Sequence, residues 1–216
     1  MDSSTTDMTS LSAVCADNAA FSPSYLPVAL FVGGTAGIGQ ATAQAFARHT
    51  KGRAHIIICG RNRAAAESII ATFPKSPESS YEFVECDVSL MKNVQATTTK
   101  LVSTLPKLNF LVLSTGFINL KGRDETSEGL AKKLATDYYS RWKFIDGLTP
   151  LLRKAKDAGE DAKVLSVLAA GKGGPVNLDD LDLKEYSLSK EMPAAATYND
   201  IMIEVSATFL VCSSET

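Results

Sequence analysis

Five short strand-like stretches, separated by longer stretches of helical periodicity, set the plan of this chain. Val28 to Val32 is apolar at every position, which predicts a strand buried on both faces, as in a parallel sheet. Further strands are expected at 55–59, 81–86, 110–113 and 164–166. A helix follows the glycines after the first strand, with Ile38, Ala41, Ala45 and Phe46 on one face. Other helices are expected at about 64–73, 90–105 and 127–158, the last bent or capped around Pro150. Upstream, residues 1–26 read as a polar tail in which Ser10 caps a short helix to about Ala20, with Leu11, Val14 and Cys15 facing inward. Downstream, a helix is expected from near Met192 through Val205. Pro193 is comfortable in a first turn but costs about 3 kcal/mol deeper in a helix. Thr208 to Cys212 either forms a short sixth strand or extends that helix. The alternation predicts one α/β domain over 27–216, a doubly wound parallel sheet of order 3-2-1-4-5 with helices on both faces.

The first strand breaks into Gly33, Gly34, Gly37 and Gly39 before the helix begins. Such a turn aims free backbone N–H groups, and the positive end of the helix dipole, at one point. Glycine there allows positive φ and close backbone approach to a pyrophosphate. The pattern therefore predicts a nucleotide phosphate site.

Composition narrows the surroundings of that site. The 216 residues are 45% apolar and 21% charged, with a net charge of −2, so there is no basic surface for nucleic acid or an anionic membrane. Cys15, Cys59, Cys86 and Cys212 lack CxxC spacing and read as free thiols of a reducing compartment. His49 and His55 lack clustered ligands, so no metal site is expected. No secretory h-region or membrane span is apparent, and a cytoplasmic location is the expectation.

The spacing Gly33-x-x-x-Gly37-x-Gly39, with Thr35 and Ile38 inside it, resembles the nucleotide loop of the short-chain dehydrogenase/reductases. It departs at Val32, where that family usually has Thr. The resemblance covers about residues 27–205 and implies a Rossmann-like fold that binds a nicotinamide cofactor. An acidic residue about 20 positions past the glycines would hydrogen-bond the adenine ribose. Here that strand ends in Gly60-Arg61, and a guanidinium suits a 2′-phosphate, so NADPH is favoured over NADH. The resemblance places Asp87 at the adenine end, although this residue also reads as an N-cap for the following helix. It places Ser114 and Gly116 beneath the nicotinamide side, where the family has Asn-Asn-Ala-Gly.

For the chemistry, the resemblance implies that Ser166 polarises a substrate carbonyl and that Asp137 stands where many members have a catalytic Asn. Tyr186-Ser-Leu-Ser-Lys190 has the Tyr-x-x-x-Lys spacing in which an ammonium lowers the phenol pKa for proton transfer. A second register, aligned on Asp-Asp-Leu…Tyr-Ser of retinol-dehydrogenase-like members, puts Met192 and Ala196 at those two positions. Tyr138, Tyr139 and Trp142 read as core or dimer interface, and the long helix near them suits a homodimer. Standard members continue with further strands and a substrate loop where this chain ends at Thr216, so a C-terminally truncated member is expected. The loop and the Ser-Val-Leu-Ala-Ala-Gly-Lys segment look most like divergent fungal members, which implies a carbonyl or alcohol of a small hydrophobic metabolite, as in secondary-metabolite pathways. A nucleotide-binding accessory or sensor without redox turnover is the competing reading.

Overall fold

The first strand, β1 (Val28–Val32), is completely buried. Its alternate residues serve two cores, Val28, Leu30 and Val32 on one face and Ala29 and Phe31 on the other. This is why the apolar run shows no alternation. The computed structural model describes residues 10–117, 122–169, 171–185 and 188–212, the side chains of 188–191 and 207–212 excepted.

In chain order, α1 (Leu11–Ala20) precedes β1, and α2 (Gly37–His49), β2 (His55–Gly60), α3 (Arg63–Ile70) and β3 (Ser80–Glu85) follow it. Then come α4 (Met91–Thr104), β4 (Phe110–Leu113), α5 (Lys132–Leu134), a π-helical turn (Ala135–Tyr139), α6 (Ser140–Asp157), β5 (Lys163–Ser166) and α7 (Leu188–Cys212). The sheet is parallel, with order β3-β2-β1-β4-β5. The Rossmann-like order expected from the sequence is the one observed.

One core packs the sheet against α4 and α6, the other against α2 and α3. Helices α4 and α6 meet closely because position 147 is glycine, where a Cβ would lie 2.7 Å from Thr98 Oγ1. Asn109, fully buried, ties the lower ends of the central strands. Its Oδ1 accepts the Val28 N–H at 3.0 Å, and its Nδ2 donates to Glu160 Oε2 and the Asp161 carbonyl, both at 2.9 Å.

Four helix readings need correction. Helix α1 has the expected Ser10 cap but buries nothing, and Leu11 is 80% exposed. Its apolar residues are spread around the helix instead of forming one stripe. In α2 the face on the sheet is Gly39, Ala43 and Ala47, while Ile38 is 62% exposed. Small residues bring that helix close to the strands, and Phe46 packs at its margin against Phe31 and Phe110. The long helix starts at Lys132 and not near 127, because Gly129 takes φ +76° in a turn closed by Thr126 N–H to the Leu130 carbonyl. Helix α7 starts at Leu188 and contains Pro193, so it begins four residues before Met192, and 208–212 extend it.

Candidate functional site

The groups that could hold a nucleotide gather at the carboxyl ends of β1, β2, β3 and β4. There Gly33 adopts φ +88° and donates its N–H to the Cys59 carbonyl at 2.9 Å. Gly37 opens α2 at φ +57°. The α2 N-cap is Ala36, which supplies no side-chain acceptor, so the first N–H groups of that helix remain available for an anion. Gly39 lies under the loop, where a Cβ would overlap the Gly33 carbonyl oxygen and Ser114 Oγ. Ser114 Oγ itself donates to the Val32 carbonyl at 3.1 Å, which pins β4 beneath the loop.

The loop forms one wall of a cleft of about 600 Å³. Of the residues expected to contact cofactor, Gly33, Thr35, Gly37, Ile38, Arg61, Asp87, Ser114 and Gly116 line it, and Gly39 does not. Phe117, Lys132 and Thr136, which the sequence did not single out, complete the far wall. Gly60 packs against Thr35, 3.0 Å from where a Cβ would be, and Arg61 follows it into the cleft lining. Arg61 is exposed and shares a second hollow of about 570 Å³ with Glu85, Cys86, Asp87, Asn93 and Thr97. Among the described residues its guanidinium has no carboxylate partner.

Asp87 does not cap α4. Its Oδ1 accepts from the backbone N–H and the hydroxyl of Ser89, at 3.0 and 2.7 Å. The cap comes from Glu128, whose two oxygens accept the N–H groups of Met91 and Lys92 at 2.6 and 3.0 Å. A carboxylate 37 residues downstream therefore anchors the helix that borders the second hollow.

The sequence-nominated chemical residues form a second layer. Asp137, 4% exposed, sits in the π-helical turn with its free Oδ1 3.4 Å from a Cβ placed on Gly116, outside the cleft lining. Its Oδ2 accepts from Lys133 Nζ at 2.5 Å. Burial nevertheless holds its carboxyl above the ordinary range, outweighing Lys133 and the nearby Arg141 charge. Ser166 ends β5 and accepts a 2.7 Å hydrogen bond from Arg141 Nη1. Arg141 and Asn199, neither nominated by the sequence, are buried beside these groups, and Asn199 Nδ2 donates to the Asp137 carbonyl at 2.9 Å.

Tyr186 lies outside the described residues. Lys190 falls in the first turn of α7, but its side chain is also outside them. From α7, the side chains around Ser166 are Ala196, Asn199, Asp200 and Ile203. Tyr138 packs against Tyr139 and Tyr198 with the rings tilted by 57° and 59°, while Trp142 is 37% exposed.

A family model for short chain dehydrogenase matches residues 27–168, from the first strand through the serine strand. The chain belongs to that family. Oxidoreductase AN1596 of Emericella nidulans is 39% identical to it over 199 residues, 91% of this chain and 58% of that protein. Oxidoreductase andH of Emericella variicolor is 35% identical over 183 residues, 84% of this chain and 53% of that protein. The chain thus spans about half the length of the curated relatives it matches. Among solved structures, the Pseudomonas aeruginosa RhlG/NADP complex superposes with a TM-score of 0.60 at 21% identity, covering 86% of this chain and 67% of that one. A metagenomic short-chain oxidoreductase in complex with NADP superposes equally well, at 17% identity and with coverage of 84% and 76%. Identity at that level supports the fold alone. No helix among the described residues is long and apolar enough to cross a membrane.

Proposed function

We propose that this chain carries the cofactor half of an NADPH-dependent carbonyl reductase or alcohol dehydrogenase. The observation that carries the reading is the cleft itself: a positive-φ glycine loop, uncapped helix N–H groups, Arg61 and Asp87 line one space at the strand ends. These groups fit a dinucleotide. Close approach is provided where only glycine is tolerated, charge neutralisation at the α2 N-terminus, and Arg61 suits a 2′-phosphate. NADPH, when bound, supplies hydride. The residues bind and orient: Arg61 holds the 2′-phosphate and distinguishes NADPH from NADH, and Asp87 contacts the adenosine end. Ser166 donates to the substrate carbonyl oxygen, and Tyr186, with its pKa lowered by Lys190, passes the proton. A small hydrophobic carbonyl metabolite is the proposed substrate class, with fungal secondary metabolism as its setting. Cytoplasmic location and a homodimer through α6 belong to the same proposal.

A second reading, nucleotide binding without turnover, is favoured by one observation. The described α7 side chains around Ser166 include no phenol or ammonium. NADPH oxidation against a panel of aliphatic and aromatic ketones and aldehydes separates the two. Turnover lost in Tyr186→Phe supports the reductase with that tyrosine as acid. Turnover that survives Tyr186→Phe removes the tyrosine from the mechanism, and NADPH binding with no turnover of any carbonyl supports the second reading.

A further inference from the structure

The far end of the site contains a charge that neither the glycine loop nor the tyrosine motif uses. Arg141, in the first turn of α6, is 1% exposed. Its Nη1 donates to the Leu113 carbonyl at 3.0 Å and to Ser166 Oγ at 2.7 Å. Its Nη2 donates to the carbonyls of Thr115 and Val167 at 2.5 and 3.0 Å. The four terminal N–H groups are thus spent on the ends of β4 and β5. Burial pulls the guanidinium pKa down, opposed by the Asp137 charge, but a guanidinium stays protonated in proteins.

We propose that Arg141 is the positioning residue for Ser166. It occupies one lone pair of the hydroxyl and leaves the Ser166 proton free to be donated into a small cavity that takes the oxygen of a carbonyl ligand. The proposal rests on the reductase reading for what that ligand is. A guanidinium has five N–H donors and no acceptor, so the 2.7 Å contact has one sense: Arg141 donates and Ser166 Oγ accepts. The serine proton must then point elsewhere, and no described residue accepts it. An oxygen that accepts from a cation is also a stronger donor through its own O–H.

Ser166 also lines a cavity of about 50 Å³ between the end of β5 and α7, walled besides by Ala196, Asn199, Asp200 and Ile203. It suits the reacting end of a small ketone. A second observation marks it as a ligand site and not a packing gap. Asn199 is 3% exposed, its Nδ2 donates to the carbonyls of Asp137 and Ala195, and its Oδ1 has no hydrogen-bond partner. Arg141 Nε and Asp137 Oδ1 are the other unpartnered buried atoms among the described residues, so the unsatisfied polar atoms gather in this one region. An alcohol seated there accepts from Ser166 and offers its own proton to Asn199. A carbonyl accepts from Ser166 but has no proton to offer Asn199 Oδ1.

Acetone is the probe, titrated into the full chain carrying ¹⁵N-arginine and a ¹⁵N backbone. Acetone should shift the Ser166 and Asn199 signals, and its affinity should fall at least tenfold in Ser166→Ala and in Arg141→Lys. The double variant should be no worse than Ser166→Ala, since Arg141 acts through the hydroxyl. Losses that multiply, an Arg141→Lys variant that binds acetone like the wild type, or a wild type that acetone does not shift, would each overturn the proposal. Should Arg141→Lys not fold, hydrogen exchange at the Arg141 Nη protons decides instead. One of them should exchange at least tenfold faster in Ser166→Ala, and unchanged exchange refutes the contact. NADPH affinity is read separately: its absence removes the reductase reading while the acetone result still stands or falls alone.

Discussion

Two glycines of the loop are required for different reasons, and alanine at each should show it. At position 39 the constraint is space. A Cβ would overlap the Gly33 carbonyl oxygen and Ser114 Oγ and lie 2.9 Å from the Gly33 carbonyl carbon. The serine hydroxyl can rotate away, but the Gly33 peptide is tethered by its N–H to the Cys59 carbonyl. Overpacking against backbone costs about 1–3 kcal/mol, which for a domain of this size lowers the thermal midpoint by roughly 2–12 °C. At position 37 nothing lies within 4 Å of an added Cβ, and the constraint is φ +57°. Left-handed backbone costs an alanine about 1–2 kcal/mol, and asparagine tolerates it better. Urea unfolding should therefore rank stability as wild type, Gly37→Asn, Gly37→Ala, Gly39→Ala. Gly39→Ala should also lose NADPH binding, because the Gly33 carbonyl is pushed into the loop. A Gly39→Ala variant within about 0.5 kcal/mol of wild type, below the overpacking range, would refute the steric argument. Gly37→Asn no better than Gly37→Ala would refute the conformational one.

Asn109→Ala leaves the buried Val28 N–H without an acceptor and removes two further bonds, so a loss of about 3 kcal/mol is expected in denaturant unfolding. Glu128→Ala uncaps α4 and should cost about 1 kcal/mol, with Glu128→Gln recovering part of it. The Asp137 carboxyl is raised in the folded state, so its contribution to stability is fully present below its unfolded pKa of about 4 and is lost as pH rises through the folded value. The thermal midpoint of wild type relative to Asp137→Asn should accordingly fall as pH rises above about 4, and a rise instead would contradict the burial argument.

The centre of the sheet was legible because strands buried on both faces, β1 above all, must be apolar throughout, while the edge strands β3 and β5 are largely exposed and were readable from their place in the alternation with helices. The cleft was legible for a related reason: glycine, Arg61 and Asp87 stand at strand ends, where a doubly wound sheet collects its ligands. The second layer was legible only in part: the resemblance pointed to Asp137 and Ser166, but nothing pointed to Arg141 or Asn199. Lys133, Asp137 and Arg141 are spaced four apart, a pattern that ordinarily marks a solvated helix face with its charges in pairs. Here the π-helical turn and α6 carry it into the interior. Glu128 was equally unreadable, since a cap supplied from 37 residues away leaves no local signal. The start of α7 was misplaced because Pro193 was weighed as a first-turn residue. The helix instead accepts it at its sixth position and forgoes the bond to the Ser189 carbonyl.

The central claim is that the glycine loop and Arg61 form an NADPH site, and direct titration of the full chain with NADPH and with NADH tests it. The account predicts NADPH binding at least tenfold tighter than NADH at fixed salt. It also predicts that Arg61→Ala brings NADPH down to the NADH level, a loss of about 1.5–3 kcal/mol for one charge-assisted contact. Equal affinity for the two cofactors with no effect of Arg61→Ala, or no binding of either, would contradict it.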